Sequence, residues 1–285
     1  MAARMMPRSL LGMDETRAYA LGDSADEHRR LMLQSRFIDE LTEPLFTRAG
    51  LAEGMRVLDV GCGVGDVSLL AGRFVGASGS VLGVDRSGDS IDLARRRAAS
   101  AGLHNLRFEQ SALEELHAEG PFDALVGRLI LLYLPDPAQV LQQLASLVRP
   151  GGLIIFQEMD MLTGRSLPPV PLYERVGHWI TTTFQRAGVD IEMGSRLFET
   201  YRRAGLPAPQ LLSGARAMGG ACLELCAWQA GTLGSLLPLA EKLGVCTRDE
   251  VQIETLASRI GAEIAAGGGS VHAPVFVGAW SRLPG

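Results

Sequence analysis

Cysteine is scarce in this 285-residue chain: Cys62, Cys222, Cys226 and Cys246 are four residues without the spacing of a disulfide framework. Cys222 and Cys226 stand on one helix face, yet no second close pair and no neighbouring histidine completes a ligand set, so no metal site is expected and the three downstream cysteines read as core. A surplus of positive charge is also missing. The formal net charge is -5, without the basic footprint of a nucleic-acid binder, and Arg95-Arg96-Arg97 reads as a solvated helix face. Long apolar runs are absent too. No stretch approaches the roughly eighteen uncharged residues needed to span a bilayer, and Leu10-Leu11 is too short for a signal-peptide core. The chain is expected to be cytoplasmic and soluble, with no nucleic-acid or membrane partner. No internal repeat or low-complexity tract is visible.

What the sequence does have is an ordinary globular balance, 47% apolar and 21% charged residues, ample for a core. Helical spacing of Leu31, Ile38, Leu41 and Leu45 predicts a helix from Ala25 to about Arg48, which Pro44 could break. Strands then alternate with helices: strands over 56–60, 80–84, 105–109, 122–126 and 153–157, and helices over 67–74, 87–101, 112–117 and 138–148. That alternation predicts a doubly wound, mostly parallel, seven-stranded α/β sheet with helices on both faces. Helices over 172–187 and 195–204, a sixth strand over 210–218 and a last strand over 271–280 complete the pattern. We read four regions: an N-terminal helical cap (1–49), an α/β core (50–218) with a helical acceptor segment near 159–190, a helical insertion or lid (219–269), and a final core strand (270–285). Gly267-Gly268-Gly269 is a hinge candidate.

The chemistry concentrates in Val57-Leu58-Asp59-Val60-Gly61-Cys62-Gly63-Val64-Gly65-Asp66. A strand runs into a turn with three glycines and a helix leaves it, so the backbone can approach a ligand closely and present N–H groups to it. Gly83-Val84-Asp85 puts a carboxylate at the end of the second strand, able to accept from both hydroxyls of a ribose. Together they point to a nucleoside-bearing cofactor in the crevice at the strands' carboxyl ends. The glycines run G-x-G-x-G rather than the G-x-G-x-x-G of nicotinamide enzymes.

These motifs, with Arg149-Pro150-Gly151-Gly152 and Phe122-Asp123, resemble those of class I S-adenosylmethionine-dependent methyltransferases. The likeness is strongest to the branch similar to ubiquinone/menaquinone biosynthesis enzymes and covers about residues 50–160. Tyr19-Ala20-Leu21-Gly22 with Glu27, Arg30, Leu31 and Gln34 resembles an N-terminal segment of that branch. The resemblance implies that Gly61, Cys62, Gly63 and Gly65 hold the amino-acid part of S-adenosyl-L-methionine and that Asp59 contacts its ammonium. Asp85 would bind the ribose and Arg86 would flank the adenine. Ser111 and Ala112 stand where the family usually places an aspartate against the adenine amino group. Arg128 falls at the methionine end, and Tyr19 would close over the cofactor. Asp59 as a backbone cap and Arg128 as an ion-pair partner are the plain alternatives.

Methyl transfer from a sulfonium depends mainly on alignment, so no strong base is required. Glu158 and His178 are the candidates for one, followed by Asp160 and His272. Met159, Met161, Leu162, Trp179, Phe184, Leu223 and Trp228, with Tyr133, suggest a small apolar or aromatic acceptor. The insertion could be a lid, a homodimer interface, or both. Two other readings stay open: a nicotinamide-dependent oxidoreductase, and a protein that keeps the cofactor fold without transferring a methyl group.

Overall fold

The computed structural model describes residues 25–116, 120–220 and 223–285. Helix α1 (Ala25–Ala49) leads into a βα alternation: β1 (Arg56–Val60), α2 (Asp66–Val75), β2 (Ser80–Asp85), α3 (Gly88–Ser100), β3 (Leu106–Gln110), β4 (Phe122–Arg128), α4 (Pro137–Ala145) and β5 (Val148–Asp160). Then follow β6 (Arg165–Leu167), α5 (Pro171–Arg186), α6 (Met193–Arg203), β7 (Gln210–Gly214) and β8 (Ala217–Gly219). The chain ends with α7 (Leu223–Lys242), α8 (Arg248–Val251), α9 (Ile253–Gly267), β9 (Ser270–His272) and β10 (Val275–Arg282). Start signals are local. Ser87 accepts from Ser90 N at 3.1 Å to open α3, and Asp136 accepts from Gln139 N at 3.1 Å, with Pro137 at the first helical position, to open α4.

Seven strands form one sheet in the order β3-β2-β1-β4-β5-β10-β7. All neighbours are parallel except β10, which runs antiparallel to β5 and β7. Side chains alternate between its faces. Val57, Val126, Ile155 and Trp280 pack with Leu45, Phe46 and Leu70 of α1 and α2. Leu58, Leu125, Ile154 and Phe156 pack with Leu141 of α4 and Leu197 and Tyr201 of α6. Each large side chain so buried contributes roughly 1.5–3 kcal/mol. The strand order reverses at β1 and β4, which places a ligand crevice at their carboxyl ends.

Four local expectations change. Pro44 lies inside α1 without ending it; the one bond it removes would reach Glu40, and both residues face solvent. Strand β5 starts at Val148 rather than Leu153. Val148 pairs with Phe122, the pairing shifts across Arg149–Gly152, where Gly151 has φ +74°, and it resumes at Leu153 with Ala124. The expected strands 210–218 and 271–280 are each two strands. The first divides at Ala215-Arg216 and the second at Ala273-Pro274, where proline lacks the N–H a ladder needs. Their outer pieces, β8 and β9, join β6 in a separate three-stranded sheet of order β6-β9-β8. Gly268, at φ +61°, caps α9 in the left-handed conformation.

Because β7 runs with β5, and β10 begins opposite Asp160, the connection carrying α7–α9 leaves and rejoins the main sheet at its carboxyl edge. Those helices pack with α5 and Ile38 of α1 around Val176, Leu225, Trp228, Leu233, Leu256 and Ile260. Cys226 and Cys246 belong to this core. No helix among the described residues is long and apolar enough to cross a membrane.

Candidate functional site

Strand β1 delivers Asp59 to the carboxyl edge and turns at Gly61. Gly61 has φ +66°, and a Cβ there would stand 2.7 Å from Ile130 Cδ1, so neither backbone nor space admits a side chain. Gly65 takes φ +86° at the start of α2, where a Cβ would come within 3.0 Å of Ala94 Cβ. Gly63, between them at φ +52°, has nothing among the described residues within 4 Å of its would-be Cβ. The turn is therefore packed at both ends and open in the middle. Cys62 is buried in this turn, and burial together with the Asp59 and Asp85 charges pushes its thiol up, away from the reactive thiolate.

Asp85, at the end of β2, reaches this turn. Its Oδ2 accepts from Gly63 N at 2.8 Å and its Oδ1 from Ser87 N at 2.9 Å. Asp59 is almost wholly buried; Oδ2 accepts from the Ser68 hydroxyl at 2.6 Å, while buried Oδ1 has no hydrogen-bond partner among the described residues. Burial raises its pKa to about 7, against the opposing Ser68 bond and the more distant Arg128 charge. Ser111 donates its N–H to Asp85 O at 2.9 Å and its hydroxyl to Ala112 O at 2.9 Å, so Ser111 and Ala112 sit beside the same strand end. Arg86 adjoins them and is exposed.

The other candidates meet different partners. Arg128 ends β4 but is committed to α1, donating to Asp39 at 2.8 Å and to the Thr42 hydroxyl at 3.0 Å with little exposure. Burial raises Asp39's pKa in spite of that arginine. His178 is exposed on α5, its Nε2 3.5 Å from the Thr182 hydroxyl. His272 stands in the small sheet, 3.3 Å from the Ser270 hydroxyl. Asp160 accepts from Leu162 N at 3.3 Å and from the Ser195 hydroxyl. Tyr133 and Trp179 are partly buried against the two large apolar clusters. Glu158 is fully buried on the α4–α6 face of the sheet. Tyr19 and Cys222 lie outside the described residues.

The sequence reading missed Arg97. Instead of a solvated face it reaches from α3 to the glycine turn, donating to Val64 O at 2.6 Å and to Asp66 Oδ1 at 2.6 Å. Its neighbour Arg95 donates to Phe108 O at 2.7 Å. Three adjacent arginines on a helix point about 100° apart, so one of them can meet the turn while another faces water. Arg97→Ala should leave the Val64 carbonyl and Asp66 unpaired and loosen the turn. A cofactor affinity about tenfold weaker, measured by calorimetry on a folded variant, is the expected result. Unchanged affinity would show that the turn holds its shape without the brace.

An open parallel sheet with a glycine turn and two strand-end aspartates at its reversal point defines a class: nucleoside-cofactor proteins of the doubly wound type. Residues 51–185 match the family described as a methyltransferase domain. Among curated relatives, the chain is 37% identical over 115 residues to a ubiquinone biosynthesis O-methyltransferase of Paracidovorax citrulli, covering 39% of this chain and 47% of that protein. It is 38% identical over 131 residues to a trans-aconitate 2-methyltransferase of Methylobacterium nodulans, covering 45% and 48%. These matches span about half the length of either relative. A solved coclaurine N-methyltransferase bound to N-methylheliamine and SAH has the same fold, with a TM-score of 0.51 and 13% identity, over 85% of this chain and 72% of that one. Over residues 51–185 the chain is thus similar to methyltransferase domains, in line with the class I S-adenosylmethionine-dependent likeness of its motifs.

Proposed function

We propose that the whole chain is an S-adenosylmethionine-dependent methyltransferase that moves a methyl group to a small, apolar or aromatic metabolite. The observation that carries this is the unpartnered Asp59 Oδ1 beside a glycine turn with open space at Gly63. A buried acceptor atom without a donor fits the ammonium of an amino-acid moiety, and Asp85 beside the turn fits the two ribose hydroxyls. The residues present therefore suit the cofactor. Gly61, Cys62, Gly63 and Gly65 would line its amino-acid end, with Ser111, Ala112 and Arg86 toward the base. Tyr19 would lie over it.

When bound, the cofactor supplies an electrophilic methyl group on a sulfonium that is already a good leaving group. What remains for the chain is to orient an acceptor in line with that methyl and to exclude water, worth up to about 7–11 kcal/mol in favourable cases. The acceptor surface would come from α1, the segment 159–190 and the helices α7–α9, which attach at the carboxyl edge of the sheet; in this reading 1–49 is a cap and 219–269 a lid. The apolar packing of Trp179, Val176 and Trp228 there supports an apolar or aromatic acceptor.

The test is the pH dependence of cofactor binding. An ammonium pairs with ionised Asp59, whereas the free protein holds a proton there up to about pH 7. Affinity should therefore rise several-fold from pH 6 to about pH 7.5, below the range of about 7.7–8.0 where an α-ammonium itself deprotonates, with proton release on binding, and Asp59→Asn should bind weakly at both. No binding by the folded wild type, or binding indifferent to both pH and Asp59, would overturn the reading. With binding established, transfer to a panel of aromatic and of charged acceptors tests the acceptor class.

A further inference from the structure

Where β4 ends, the chain must leave the sheet in a tight bend. Leu129 N still bonds Gln157 O at 2.9 Å, continuing the ladder, but Leu129 itself takes φ +54°, a region that side chains disfavour. The next two N–H groups, of Ile130 and Leu131, have left the ladder and are turned inward. Glu158 of β5 meets them both: its Oε1 accepts from Ile130 N at 3.0 Å and from Leu131 N at 2.8 Å. On the far side of the bend, Leu132 O accepts from Asp190 N at 2.9 Å.

The bend matters because of what Ile130 touches. Its side chain is the nearest neighbour of the would-be Cβ of Gly61, with Cδ1 at 2.7 Å and Cγ1 at 2.8 Å, and it also flanks Gly127. One wall of the glycine turn is therefore a residue whose backbone is held by Glu158. Strand alternation puts Glu158 in line with Ile154 and Phe156, whose neighbours are a large apolar cluster, so apolar packing alone gives no reason for a carboxyl group there.

We propose that Glu158 is a positioning residue for the cofactor turn: it gathers the Ile130 and Leu131 N–H groups so that Ile130 stays seated against Gly61. The role needs an acceptor oxygen rather than a charge. The groups that face Glu158 agree, since Asp190 offers a like charge and the Tyr201 hydroxyl is spent on Ile154 O and Ala279 O. Its Oε2, buried without a partner, and its raised pKa suit a protonated carboxyl. Glu158 so placed is not the base of a methyl transfer. The inference rests on the cofactor reading above for its consequence, but not for the contact itself.

The experiment compares wild type with Glu158→Gln, which keeps an acceptor oxygen, and Glu158→Leu, which removes it. Leu144→Ala, in the core of α4 away from the bend, serves as a destabilised control. Amide exchange at Ile130 and Leu131 and S-adenosylmethionine affinity are both read on variants shown to be folded. Wild type, Glu158→Gln and Leu144→Ala should protect the two amides and bind alike. Glu158→Leu should expose them about a hundredfold faster and bind about tenfold more weakly. Should that variant not fold, Glu158→Asp, one methylene short of the bend, is expected to change both readouts in the same direction. Protected amides and wild-type affinity in Glu158→Leu would overturn the proposal, as would an equal loss of affinity in Leu144→Ala. If even wild type binds no cofactor, the functional reading fails, while amide exchange still decides whether Glu158 holds the bend.

Discussion

Asp85→Ala is expected to weaken S-adenosylmethionine binding about a hundredfold, the value of one to two hydrogen bonds to a charged group at 1.5–3 kcal/mol each. The carboxylate is already ordered before any ligand arrives, one oxygen on Gly63 N at 2.8 Å and the other on Ser87 N at 2.9 Å. A carboxylate oxygen that accepts one N–H has lone-pair capacity for a hydroxyl as well, so backbone and ribose bonds are compatible. Alanine removes the two ribose acceptors and also frees Gly63, the open middle of the turn. Asp85→Asn separates those losses. It keeps one acceptor oxygen and the side-chain volume, and an affinity about tenfold below wild type is expected. Calorimetry on folded variants decides it. If Asp85→Ala binds like wild type, Asp85 merely shapes the loop, and the ribose assignment falls.

The parts of the site legible in the sequence are those written in one short stretch. Val57–Asp66 gives a strand, a glycine turn and a helix because apolar run, glycines and helix-forming residues follow one another within a few positions. Asp85 was found by the same logic, one strand later. Contacts that join distant stretches were not legible. Arg128 meets Asp39 across 89 positions, and nothing in the β4 segment names that partner. Arg97 was hidden by its neighbours, since three equal charges carry no information about which one faces inward.

The three-stranded sheet was missed for a different reason. Its strands are three residues long, too short for any alternation to register, and two of them continue directly from strands of the main sheet. Pro274 carried the only signal of a break. Glu158 did leave a trace: a carboxylate in step with Ile154 and Phe156 on an apolar strand is an anomaly of the alternation rule. That trace marks burial but not the partners, because Ile130 and Leu131 contribute only backbone, which no sequence pattern displays.

Glu158 should also make the protein's stability fall as pH rises, and Glu158→Gln should remove much of that dependence. Burial pushes the carboxyl from its ordinary 4.5 up to about 8, only partly offset by the backbone N–H groups of Leu131, Ile130 and Leu132. An unfolded chain releases this proton near pH 4.5, whereas the folded protein keeps it to about pH 8. Between those values the unfolded state binds fewer protons, so each step up in pH favours unfolding. The stabilisation is complete below the lower value and lost by the time pH has passed the upper one. At 1.36 kcal/mol per pH unit, the loss from pH 5 to pH 9 is at most about 4 kcal/mol, a large share of an ordinary domain's stability. Asp59 contributes a drop of the same sign ending near pH 7. The difference between wild type and Glu158→Gln cancels that common part. Glutamine keeps an acceptor oxygen for the two N–H groups and cannot ionise, so the variant should gain on wild type steadily from pH 5 to pH 9 in denaturant titrations. Parallel curves for the two proteins would mean that Glu158 ionises at an ordinary pH, and that water reaches its buried oxygen.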